Sequence, residues 1–352
     1  MKLGFGFYRH QLDEAHFRFA RQCGCTHAVV HLVDYFNQGR ANARGDQPVG
    51  DHDGWGRAGD PDAVWTEAEL TALRERLNAA ELKLEAIENF DPAHWHDVLL
   101  GGPKRDEQLE KVKTMIRNAG RAGIPVIGYN FSLAGVAGRK KGRVARGDAA
   151  AVYMDGPYDR PMPEGMVWNM TYDADAPAAT RPPATHEQLW HRVRIFLEAV
   201  LPTAEEAGVR LAAHPDDPPL PTVRGEPRLV HRPELYDKLF DLRESPNSTA
   251  ELCLGTVAEM PDGDLYDLVD RLSRANKIGY IHFRNVCGKA PHYRETFVDD
   301  GDIDMRRVVG ILRENGWDGV LIPDHTPQMD CDAPWHAGMA YACGYMRALL
   351  EA

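Results

Sequence analysis

The feature that most restricts this chain is a unit that recurs along its whole length: a short β-branched or aromatic run, a loop, then an amphipathic segment. The runs at about 3–8, 27–33, 84–88, 124–130, 209–214, 249–254, 278–283 and 319–322 read as strands. Those at about 12–22, 67–80, 106–122, 186–207, 233–243, 264–274, 304–315 and 336–350 read as helices. Asp13-Glu14, Thr66 with Glu69 three residues on, and Asp302 or Asp304 before Met305 supply helix starts. Gly24, Gly123, Gly208 and Gly316 stand just past helix ends. Eight strand and helix pairs predict an α/β fold, a single (β/α)8 TIM barrel occupying 1–352 as one domain.

Two connections are longer than the usual short link, at about 34–65 and 131–185. Both follow strands, so both are expected over the C-terminal face, where barrel enzymes place their chemistry. The first is rich in Gly and Asp and carries Trp55 and Trp65. The second holds the basic run Arg139-Lys140-Lys141-Gly142-Arg143 and a Pro-rich stretch from Pro157 to Pro183, with too little periodicity for a packed domain.

Composition narrows the function. With 53 Asp and Glu against 41 Lys and Arg, a net charge of -12 would repel a phosphate backbone, so no nucleic-acid partner is expected. No apolar run approaches the roughly 18 to 20 residues of a membrane span. Met1-Lys2-Leu3-Gly4-Phe5 leads straight into a strand rather than into a signal peptide, which predicts a cytoplasmic protein. Six cysteines are too sparse for a disulfide scaffold, so any special one is a ligand or a nucleophile.

The strongest constellation lies at the carboxyl ends of the last four strands. Strand five ends at His214, strand six at Cys253, strand seven at His282 and strand eight at Asp324, followed by His325. Side chains at equivalent positions of adjacent barrel strands converge near the barrel axis. These four therefore predict a mononuclear site of two imidazoles, one thiolate and one carboxylate. Such a mixed N, S and O donor set suits Zn, Fe, Co or Mn.

His214-Pro-Asp-Asp-Pro-Pro219, followed by Pro227-Arg228-Leu229-Val230, resembles the signature of the mannonate dehydratases, a branch of the xylose-isomerase-like metal barrels. The likeness extends through Val64-Trp65-Thr66, Ala122-Gly123-Ile124-Pro125, Tyr129-Asn130-Phe131, Pro202 to Val209, His282-Phe283-Arg284, Gly301 to Met305 and Pro323-Asp324-His325. It implies that His214, Cys253, His282 and Asp324 bind Mn²⁺, with Fe²⁺, Co²⁺ or Zn²⁺ as other ions such donors accept. It also implies that His325 works in acid-base catalysis, in hexuronate catabolism, on D-mannonate to give 2-keto-3-deoxy-D-gluconate and water.

The chain departs from the family in places. Thr326-Pro327 stands where the family has Gly-His, Ser132 to Gly135 replaces a Trp-Thr-Arg-Thr stretch, and Tyr293-Arg294-Glu295 replaces Phe-His-Glu. A tyrosine of the last helix aligns with Met339, with Tyr341 close by.

The chemistry explains the residue types. Removing the proton beside a carboxylate builds up negative charge that a Lewis acid must stabilise, and the departing 3-hydroxyl needs a proton that an imidazole such as His325 can deliver. The carboxylate itself calls for a forked cation, expected from Arg284, with Arg9 as a second candidate. Asn130 and Asp216 are expected at the substrate, Asn130 having the alternative of a structural turn role and Asp216 that of stiffening the turn that orients His214.

The same platform would serve an isomerase or epimerase of a sugar or sugar acid, and a sugar-acid-binding barrel without activity is the non-enzymatic alternative. A small-molecule sugar acid is the expected partner, and a homo-oligomer is compatible with the sequence. Asp299 to Asp304 reads as helix capping rather than a calcium loop, Arg139 to Arg146 as a solvated loop in preference to a contact for a phosphate or sugar acid, and Cys23 with Cys25 as inert thiols.

Overall fold

The computed structural model describes residues 1–37, 47–49 and 54–352. Eight parallel strands close a barrel: Lys2–Phe7, His27–His31, Lys83–Glu88, Val126–Tyr129, Arg210–Ala213, Ser248–Cys253, Ile278–His282 and Val320–Ile322. Each pairs with its neighbours in sequence, and the first closes on the last through Lys2 opposite Val320. In an ordinary parallel sheet both faces are buried, and these strands are accordingly apolar nearly throughout. Val29, Ala86, Val126, Ala212, Tyr280, Val320 and Ile322 fill the barrel interior. The alternate residues pack outward against the helices in the larger core.

Because side chains alternate along a strand, the residue two beyond each interior position also faces inward. His31 follows Val29, Glu88 follows Ala86, His214 follows Ala212, His282 follows Tyr280 and Asp324 follows Ile322. Polar groups thus crown an apolar plug at the carboxyl end. Register refines the height: Cys253 lies opposite His282 on the adjoining strand.

The surrounding helices begin where their capping residues dictate. Asp13 accepts from Ala15 and His16, Asp304 from Arg306 and Arg307, and both Thr66 with Glu69 and Thr185 with Gln188 form capping boxes. Among the described residues, two α-helices lie outside the eightfold reading, Pro92–Leu100 after the third strand and Leu254–Glu259 after the sixth.

The segment 131–185 holds more order than its composition suggests. Lys140–Ala145 and Ala149–Asp155 form an antiparallel pair, joined by His292–Glu295 and Val286–Lys289 into a four-stranded sheet. Gly56–Arg57 of the first long connection pairs with Met170–Thr171 of the second, so the two are tied together. Of the 34–65 connection, residues 38–46 and 50–53 lie outside the described residues. Among the described residues, no helix is long and apolar enough to cross a membrane.

Candidate metal and active site

His214, Cys253 and His282 each offer one donor atom, all within 4.8 Å of one another. Asp324 joins them through Oδ2, 3.5 Å from Nδ1 of His282. It sits at φ +61°, a left-handed conformation that a non-glycine residue holds only where its surroundings enforce it. His214 Nδ1 donates to the carbonyl of Pro215, which leaves Nε2 as the nitrogen for the cluster.

Cys253 is wholly buried, which alone would push its thiol up. The Arg284 guanidinium and the neighbouring His214 and His282 imidazoles outweigh burial and hold it well below the ordinary thiol range. Arg284 Nη2 lies 3.4 Å from the sulfur and the Thr256 hydroxyl 3.1 Å. The imidazoles respond in kind: despite burial, His214 is pushed up to about 9 by its hydrogen bond to Cys253 and by Glu251, and His282 rises through Asp324 and Glu88.

Beneath this cluster lies a second one that the sequence reading missed. Nε2 of His282 faces Oε2 of Glu88 and Oε1 of Glu251, each at 3.3 Å, and Glu88 also faces His31 Nε2 at 3.4 Å. Burial, followed by the charge of Glu88, pushes Glu251 well above the usual carboxylate range; His31 and His282 overcome burial at Glu88 and hold it down to about 2. Gly128 makes room, since a Cβ there would run into the Glu251 carboxyl and the Tyr280 hydroxyl. The period-two pattern could have revealed both acids, Glu251 standing two residues before Cys253.

A cavity of about 70 Å³ opens onto the cluster, lined by His214, His282, Asp324, His325, Asn130 and Arg139 among others. The two long connections complete its wall with Tyr35, Gln47, Trp55, Val136 and Trp168. His325 Nδ1 donates to Glu295 at 3.0 Å, and Nε2 lies 3.2 Å from Asp324. Burial opposes its charge, but Asp324 and Glu295 prevail and hold its pKa above the ordinary imidazole value.

Three expectations need correction. Arg284 does not line the cavity: Nη1 donates to Glu259 at 2.7 Å and Nη2 to Thr256 at 3.0 Å, so it braces the thiol from within the wall. Arg9 is exposed, donates to the Leu32 carbonyl at 3.3 Å and lines a neighbouring cleft. Asp216 accepts from the Leu229 and Val230 amides and pairs with Arg228, all at 2.8 Å, which stiffens the turn below His214. Its neighbour Asp217 faces the cavity instead.

Arg139, expected in a solvated loop, is only 9% exposed and lies 3.6 Å from Asp217 and 3.5 Å from Glu295. It therefore presents a cation to the cavity where Arg284 does not. Tyr341 stands 37% exposed against Phe297 and Arg146, outside the cavity. Cys23 and Cys25 lie beside Cys343, whose sulfur is 3.8 Å from that of Cys25.

A thiol, two imidazoles and a carboxylate crowning consecutive strands of a parallel barrel define the class: a (β/α)8 barrel with a metal-capable centre at its carboxyl end. Residues 1–146 and 182–351 match the D-mannonate dehydratase (UxuA) family, and the chain belongs to that family. It is 33% identical over 288 residues to the mannonate dehydratase of Streptococcus pneumoniae (strain 70585), covering 74% of each chain. The mannonate dehydratase of Streptococcus suis (strain 05ZYH33) is equally similar, at 33% over the same length and shares. The crystal structure of mannonate dehydratase from Streptococcus suis serotype 2 superimposes with a TM-score of 0.77 at 26% identity, over 100% of this chain and 93% of that one.

The family and the donor chemistry together imply a divalent metal, and the residues present fit one. Neither nitrogen of buried His282 and neither oxygen of Glu251 has a well-formed hydrogen bond among the described residues. A cation on the cluster would take the place of the protons these groups now share. Glu88 and Glu251 would then orient His282 by accepting from Nε2–H. We expect Glu251→Gln to weaken metal binding roughly 10- to 100-fold without unfolding the barrel. Competition with a chelator of known affinity, beside a circular dichroism spectrum, checks this.

Proposed function

We propose that the chain removes water from D-mannonate to give 2-keto-3-deoxy-D-gluconate, a hydro-lyase reaction, with His214, Cys253, His282 and Asp324 holding a manganese ion. The observation that carries this reading is that His214, His282, Asp324 and His325 line one cavity beside the cation Arg139, with Cys253 buried behind the two imidazoles within 4.8 Å of their donor atoms. When bound, a divalent ion supplies the Lewis acidity that makes the C2 hydrogen acidic.

The rest falls to side chains of this chain. Arg139 receives the substrate carboxylate with its planar fork; its contacts to Asp217 and Glu295 are long enough to yield to a shorter, charge-assisted pair. His325, whose imidazolium form Asp324 and Glu295 favour, gives its Nε2 proton to the 3-hydroxyl as the C–O bond breaks and water departs, while the C2 proton passes to solvent. Glu295 keeps the ring in place by accepting from Nδ1. Asn130 offers its amide to a substrate hydroxyl at the cavity wall. Hexuronate catabolism in the cytoplasm is the setting this reading carries with it, with a small sugar acid as partner.

Turnover in D₂O tests the proposal. Loss of water leaves an enol whose C3 takes up a solvent deuteron, so the product should carry deuterium at C3. Deuterium at C2 of an epimer, with the 3-hydroxyl retained, would instead establish the isomerase or epimerase reading.

A further inference from the structure

Residues 147–181 lie between the two stretches that match the family, yet they supply part of the cavity wall through Trp168. Trp168 is 2% exposed and packs against Trp55 and Tyr35, with ring centroids 5.5 and 5.7 Å away. Its Nε1–H has no hydrogen-bond partner among the described residues. Buried donors in native proteins are nearly always paired, so an indole N–H left over beside a cavity calls for a function.

The backbone adds an independent observation. Trp168 and Asn169 both sit in the left-handed region, at φ +52° and +57°, a strain that persists only where surroundings impose it. Here three separate segments do so. Trp168 N–H donates to Leu133 O at 2.7 Å, and Trp55 N–H to Asn169 O at 2.8 Å. The Asn169 side chain donates to Val136 O at 2.9 Å and accepts from buried Arg224 at 3.1 Å. Gly135 is pressed so close that a Cβ there would stand 2.7 Å from the Trp168 carbonyl carbon. Packing alone would be served by a phenyl ring; the N–H is what remains unexplained.

We propose that Trp168 is a substrate-binding residue whose Nε1–H donates to a hydroxyl of the aldonic acid beyond C3, which makes the 147–181 segment a specificity element of this chain. The inference rests on the dehydratase reading, in which Arg139, His325 and the metal donors engage C1 to C3. The distal hydroxyls then need partners, and an indole offers both a donor and an apolar face for the carbon chain.

Trp168→Phe keeps the ring and removes the donor. With D-mannonate, KM should rise about tenfold, the scale of a lost hydrogen bond, while kcat changes less than threefold and metal content stays constant. A second measurement needs no variant: among the 4-, 5- and 6-deoxy analogues of D-mannonate, one should lose a similar factor with the wild type. Trp168→Phe should not distinguish that analogue from the parent. An unchanged KM in Trp168→Phe, or full discrimination among the analogues retained by the variant, overturns the assignment. Thermal shift with D-mannonate separates this from the reaction itself. If the wild type is stabilised more than Trp168→Phe yet forms no keto acid, the dehydratase reading fails and the binding role stands. If neither protein is stabilised or turns substrate over, the binding role fails as well.

Discussion

Cys253→Ser should bind divalent metal at least ~10²-fold more weakly than the wild type and lose activity in proportion. The sulfur is buried, held as a thiolate by Arg284 and Thr256, and placed opposite His282 by strand register. A serine hydroxyl at the same site stays neutral at pH 7, so it is a poorer ligand and leaves Arg284 with one fewer anion. The barrel itself should survive. Its apolar plug and outer core do not include the metal donors, and Arg284 keeps Glu259, Glu295 and Asp217 as partners. Titration with Mn²⁺ alongside circular dichroism checks both halves; wild-type affinity in the serine variant would remove Cys253 from the ligand set.

His325→Asn should reduce turnover by roughly 10²- to 10⁴-fold while metal stoichiometry stays at the wild-type level. Asparagine approximates the shape of the ring but cannot give up a proton near neutral pH. The imidazole is otherwise ready for that task, because Glu295 fixes Nδ1–H and the flanking carboxylates favour its charged form. Parallel loss of metal and activity would reassign His325 to holding Asp324, which lies 3.2 Å from its Nε2. Measuring kcat and metal content on the same preparation separates the two.

The barrel was legible because its signals are local. Each strand is a short apolar run, each helix has its own cap, and strand-end positions place His214, Cys253, His282 and Asp324 at one height without any long-range information. Failures arose where the decisive partner lies far away in sequence. Lys140–Ala145 looks like a solvated charge run because one side of that hairpin is exposed, while the strand that completes the sheet, His292–Glu295, comes more than a hundred residues later. Arg139 was misjudged with it, although its neighbours Asp217 and Glu295 draw it inward. Arg284 and Arg139 exchange their expected places for the same reason: a sequence shows an arginine near a ligand but not which acids surround it. Pro92–Leu100 escaped notice because Trp95 leaves helical geometry at φ -151°, which interrupts the apolar period. Glu88 and Glu251 were readable in principle, since two-residue alternation puts both inside the barrel.

The most direct test of the account is the rate of 2-keto-3-deoxy-D-gluconate formation from D-mannonate by the manganese-loaded wild type, before and after chelation. The account predicts steady formation of the keto acid that ceases when the metal is removed and returns when it is restored. Conversion of D-mannonate to an epimer or isomer without loss of water, or keto-acid formation at the same rate in the chelated protein, would contradict it.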